Sequence, residues 1–152
     1  MRRALLTGAA SGLLSGVALH LARSGVDAIA LTYRNTPPDD TVAALEAAGA
    51  KVRAARIDFS ADERVVETQL QELVRESGPF DTLVHGVGPL VVKRFARLTM
   101  DDYREMFDGN VRSTILAAKA VLPAMREAGF GRIVVFGMNG SAETRPFRGF
   151  TL

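Results

Sequence analysis

At 152 residues the chain is one domain's worth of polypeptide, long enough to bury a core. Its 47% hydrophobic and 24% charged residues are ordinary for a globular protein, and the net charge of +2 comes from scattered arginines rather than a basic run, which argues against a nucleic-acid surface. Absence of cysteine excludes a disulfide, a thiolate metal site and a cysteine nucleophile, and no apolar run reaches the ~18 residues a membrane span needs.

Met1-Arg2-Arg3 and the uncharged stretch that follows imitate a secretory signal. Gly8, Gly12 and Gly16, with Ser11 and Ser15, break any continuous apolar helix there, and the same residues read as strand, turn and helix. The first strand is Arg3 to Thr7. A helix runs from Leu13 to Ser24 and stops at Gly25; strand two is Asp27 to Tyr33. A turn with two prolines, Asn35 to Asp40, precedes a helix from Thr41 to Ala48, and strand three is Lys51 to Ile57. Ser60 is the expected cap of a helix from Ala61 to Ser77, with Glu63 closing a capping box. Asp81 to His85 is strand four, and Gly86 to Arg97 is a loop. Thr99 caps a long helix from about Asp101 to Ala128, with a kink or a frayed last turn expected from Pro123, and Gly131 to Gly137 is strand five. Met138 to Leu152 has no clear period.

Strands alternating with helices through short turns imply parallel pairing and right-handed crossovers. The expected architecture is α/β: an open doubly wound parallel sheet of about five strands in the order 3-2-1-4-5, with helices on both faces. Ligands of such sheets bind at the carboxyl ends of the strands, near the switch between strands one and four. The segment Thr7-Gly8-Ala9-Ala10-Ser11-Gly12 falls there. Its glycines let backbone approach a phosphate, and the following helix offers free N–H groups to it, which points to a nucleotide cofactor.

Extended to Leu13, this turn resembles that of the short-chain dehydrogenases/reductases, whose pattern is T-G-x-x-x-G-x-G. Leu14 stands where the last glycine of that pattern falls, with Gly16 just beyond, so the close approach of the pyrophosphate, or of the helix to the sheet, is expected to differ. The resemblance, notably to 3-oxoacyl-acyl-carrier-protein reductases, implies a Rossmann-type fold and hydride transfer between a nicotinamide cofactor and a carbonyl or alcohol. It implies that Gly8, Ser11, Gly12 and Leu13 form the cofactor turn, and that Asp58, with Phe59 beside it, meets the adenine. Asp58 also suits a helix cap. His85-Gly86-Val87-Gly88 occupies the place of the family's N-N-A-G, the wall beside the adenosine ribose, and matches it only at Gly88. His85 has no metal-ligand spacing to the other histidine, His20, and no metal is expected.

No carboxylate lies between Thr32 and Asn35 to take a ribose 2′-hydroxyl, whereas Arg34 suits a 2′-phosphate; NADP is therefore expected over NAD. The plainer reading of Arg34 is a solvated turn residue. Asn110 matches the family's helix asparagine, which holds a water in a proton relay. The substrate-orienting serine falls on Met138 by ungapped counting, and on Ser141 if three residues are inserted; Ser141 is the candidate.

The family's catalytic Tyr-x-x-x-Lys is not found: Tyr33 is followed four residues on by Pro37, and Tyr103 by Phe107. The expectation is a single cofactor-binding domain over residues 1–152 that stops before this pair and is inactive or nearly so alone. A non-catalytic nucleotide-binding or scaffold protein on the same half-fold is the alternative. The intact parent would take a small-molecule carbonyl or alcohol, with no membrane or nucleic acid, in the cytoplasm. Strand five would be left as a sheet edge, with Ile115, Leu116, Ala118 and Leu122 exposed, favouring a homo-oligomer through the 101–128 helix.

Overall fold

Five strands, β1 (Arg3–Thr7), β2 (Ala28–Tyr33), β3 (Lys51–Arg56), β4 (Thr82–His85) and β5 (Arg132–Val135), pair in parallel in the order β3-β2-β1-β4-β5. The computed structural model describes residues 1–9 and 12–136. Thr7 lies opposite Thr32 on one side and His85 on the other, and Tyr33 opposite Arg56, so the carboxyl ends of four strands form one edge.

The central strands β2, β1 and β4 are buried on both faces, and their alternate residues enter two separate cores. Leu5, Ala30 and Leu83 face α3 (Glu63–Ser77) and α5 (Ser113–Glu127), joining Val66, Leu70, Ala117 and Val121. Leu6, Ile29, Leu31 and Val84 face α1 (Leu13–Arg23) and α2 (Asp39–Ala47), joining Leu14, Ala18 and Leu45. This is the expected doubly wound sheet with helices on both faces.

Three local expectations are corrected. Helix α2 begins at Asp39 rather than Thr41, since Asp39 and Asp40 suit the positive end of the helix dipole. Ser60 does not cap α3. Its amide and hydroxyl both donate to Asp58 Oδ1, at 2.9 and 2.6 Å, and Asp62 becomes the cap by accepting from the Arg64 amide. Lastly, the long helix is not continuous, being interrupted at Asp108–Arg112. Helix α4 (Met100–Phe107) and α5 are joined there by a π turn, while Pro123 sits inside α5.

Side chains in the π turn and at the start of α5 bond backwards to carbonyls, which competes with regular helix bonding. Asn110 Nδ2 donates to Met106 O, Ser113 Oγ to Gly109 O, and Thr114 Oγ1 to Asn110 O. Thr99 does cap α4, in a capping box with Asp102. Ile115 and Leu122 are exposed as expected, and so is all of β5, an edge strand among the described residues. Leu116 is instead buried, because it shares the sheet-facing side of α5 with Ala117, Val121 and Met125. Among the described residues no helix is long and apolar enough to cross a membrane.

Candidate functional site

The carboxyl edge of the sheet opens into a cavity of about 620 Å³. Gly8, Arg34, Asp58, Phe59 and Val87, all singled out in the sequence, line it, and Asp108, Gly109 and Arg112 of the π turn form its opposite wall. Gly8 has φ +76°, and a Cβ there would lie 3.1 Å from Gly86 O. Only glycine fits both that conformation and that approach. Its amide donates to Thr32 Oγ1 (3.2 Å), and the Ala9 amide to Thr32 O (3.0 Å), so β2 holds the start of the turn.

Gly12 ends the turn at φ +67° with open space where a side chain would be, and no side chain caps α1. The first turn of α1 thus presents amides without a side-chain partner, a setting that suits an anion. Leu13 is exposed beside it. Neither Gly12 nor Leu13 lines the cavity itself, and Ser11 lies outside the described residues.

Asp58 lines the cavity. Its carboxyl is held below the usual range by the Ser60 hydroxyl and amide, then by the charges of Arg34 and Arg56, against the opposing effect of burial. One oxygen is engaged by Ser60.

His85 is not on the cavity wall but beneath it, 1% exposed, with the Phe59 ring edge-on at 5.7 Å. It joins two hydroxyls: Thr7 Oγ1 lies 2.7 Å from Nδ1 and Ser113 Oγ 2.9 Å from Nε2. Ser113 donates its single proton to Gly109 O at 2.5 Å and so accepts from His85. The network therefore assigns the neutral Nε2–H tautomer, with Nδ1 accepting from Thr7. Burial pushes the imidazole down to about 4. A Thr7–His85–Ser113–Gly109 chain thus fastens β1 and β4 to the π turn.

Asn110 is half-buried, and its Nδ2 donates to Pro89 O (3.1 Å) and Met106 O (2.9 Å). A Cβ on Gly88 would collide with its Oδ1. Ser141 and Met138 lie outside the described residues. Arg112 was not singled out in the sequence. Its guanidinium donates to Phe59 O and Ala61 O, both at 3.2 Å, tying the loop after β3 to the π turn. The available signal was the clustering of Asp108-Gly109-Asn110 and Ser113-Thr114, poor helix formers, within the span of one long helix. Among the described residues no group of three His, Asp or Glu is placed to hold a metal ion.

The sequence profile of the short chain dehydrogenases matches residues 2–148. The chain belongs to the short-chain dehydrogenase/reductase family. A hydroxynaphthalene reductase of Aspergillus fumigatus is 31% identical over 118 residues, covering 76% of this chain and 42% of that protein. An uncharacterized oxidoreductase of Myxococcus xanthus is 33% identical over 148 residues, covering 97% of this chain and 56% of that one. Acetoin dehydrogenase from Enterobacter cloacae superposes with a TM-score of 0.87 at 27% identity, over 97% of this chain and 59% of that chain. The chain spans about half the length of the two curated relatives.

Two departures of this short-chain dehydrogenase/reductase from the family's patterns are neighbours in space. Leu14 replaces the last glycine of the turn, and Gly86 replaces the second asparagine of N-N-A-G. A Cβ on Gly86 would collide with Leu14 Cδ1 and come within 2.9 Å of its Cγ. The bare backbone at Gly86 makes room for Leu14, which is buried against the sheet.

Proposed function

We propose that this chain is the cofactor-binding portion of an oxidoreductase that moves hydride between NADP(H) and a small-molecule carbonyl or alcohol. The observation that carries this reading is the cavity in which Gly8, Arg34 and Asp58 meet beside the uncapped start of α1. Its residues fit a dinucleotide. Gly8, Ser11, Gly12 and Leu13 supply backbone for the pyrophosphate. Asp58, Phe59, Gly86 and Val87 are assigned to the adenosine end, and His85 supports their wall from below. Arg34 is assigned to the 2′-phosphate by charge-assisted hydrogen bonds.

When bound, the nicotinamide supplies or accepts the hydride. Asn110 is assigned to the proton relay and Ser141 to substrate orientation. No tyrosine in these 152 residues is followed four residues on by lysine. A phenol near pKa ~10 needs such a cation to donate near neutral pH. We therefore propose that this chain by itself binds cofactor but turns over slowly or not at all. The exposed Ile115 and Leu122 support self-association through the 101–128 segment.

Calorimetric titration with NADPH and NADH tests the cofactor assignment. The expected result is a preference for NADPH that Arg34→Ala removes by weakening NADPH about tenfold, near 1.4 kcal/mol, while leaving NADH unchanged. Equal affinities in the unaltered chain would contradict the choice of NADP.

A further inference from the structure

We infer that Arg56 is a positioning residue for Arg34 and a second determinant of preference for a ribose 2′-phosphate. The inference rests on the assignment of the cavity to NADP(H). Arg56 ends β3 directly opposite Tyr33, the last residue of β2. Its Nε donates to the carbonyl of Arg34 at 2.9 Å. That bond crosses from one strand end to the turn beyond the other, and it fixes the backbone from which the Arg34 side chain reaches the cavity. A fixed backbone reduces the conformational freedom Arg34 must give up on meeting an anion.

The remaining donors of Arg56 are not committed to an acid. Neither Arg34 nor Arg56 is in an ion pair among the described residues, whereas Arg53, earlier on the same strand, is bonded to Glu76 at 3.0 Å. The charges of both Arg34 and Arg56 act on Asp58, which lines the cavity. The Oδ1 of Asp58 is already engaged by Ser60. Arg34 at the cavity and Arg56 behind it, with Asp58 the acid on which both charges act, thus leave an excess of positive charge, and a phosphomonoester is the cofactor group whose charge matches it. Arg56 does not line the cavity itself, so its action passes through the Arg34 backbone and through its field.

Affinities of Arg56→Ala and Arg56→Lys for NADPH, NADH, 2′,5′-ADP and 5′-AMP test the inference, with thermal midpoints as a check on folding. In Arg56→Ala, NADPH and 2′,5′-ADP are expected to weaken about three- to tenfold while NADH and 5′-AMP stay within about twofold. Arg56→Lys, which keeps the charge, is expected to regain part of the preference. If Arg56→Ala fails to fold, Arg56→Gln carries the same expectation. An unchanged NADPH-to-NADH ratio in these variants, beside a clear preference in the unaltered chain, overturns the inference alone. Equal weakening of all four ligands also overturns it, since that marks a merely structural arginine. No preference in the unaltered chain removes the NADP assignment, and the inference with it.

Discussion

Leu14→Ala is expected to cost about 2–4 kcal/mol in urea denaturation, and Gly86→Ala about 1–3 kcal/mol, but the double variant less than their sum by at least about 1 kcal/mol. Leu14 is buried in the core on the α1 side of the sheet, so its truncation loses apolar burial and leaves a cavity. A methyl group at Gly86 has nowhere to go while Leu14 occupies that space. Removing both side-chain conflicts at once lets the new methyl fill part of the new cavity. Additive costs, within about 0.5 kcal/mol, would show that the two departures from the family pattern are independent.

Acidification is the second large effect. Lowering the pH from about 7 to about 4.5 should remove about 2–3 kcal/mol of stability through His85 alone. The sign follows from where the proton binds. In the unfolded chain the imidazole titrates near 6.5; in the folded chain burial holds it at about 4. Between those values the unfolded state binds a proton that the folded state refuses. The contribution of His85 is therefore complete above about pH 6.5 and is lost as pH falls toward 4. Asp58 and Asp102, both held below the ordinary carboxylate value of 3.8, lose their contributions only at still lower pH. His85→Asn should flatten the upper part of this profile, and denaturation midpoints across the range in both proteins read the difference. A profile unchanged by the substitution would place the titrating group elsewhere.

The sheet was legible because its signals are strong and local. Short apolar runs such as Ala4-Leu5-Leu6, each ended by a turn or glycine, specify parallel strands, and β1 has the bounds expected of it. That Gly8, Arg34, Asp58, Phe59 and Val87 meet in one cavity was legible because strand ends in such a sheet share one edge. The π turn was not. Asn110, Ser113 and Thr114 each look tolerable in a helix, and only their carbonyl partners one turn back reveal the distortion. Likewise, either Ser60 or Asp62 is a fair cap by residue type, and the capture of Ser60 by Asp58 decides between them. His85 was expected in a supporting or wall role, but its burial between two hydroxyls depends on Thr7 and Ser113, distant in sequence. Arg56 and Arg112 act on backbone carbonyls of other segments, which no sequence pattern marks.

Amide chemical-shift mapping of the chain with NADP⁺ bears most directly on the cavity as the seat of the cofactor. Shifts are expected to concentrate at Gly8, Gly12, Leu13, Arg34, Asp58 to Ser60 and Val87, and to spare the far ends of the strands at Arg3, Ala28 and Lys51. Saturable binding with shifts confined to another surface, or no shift in this set at saturating cofactor, would contradict it.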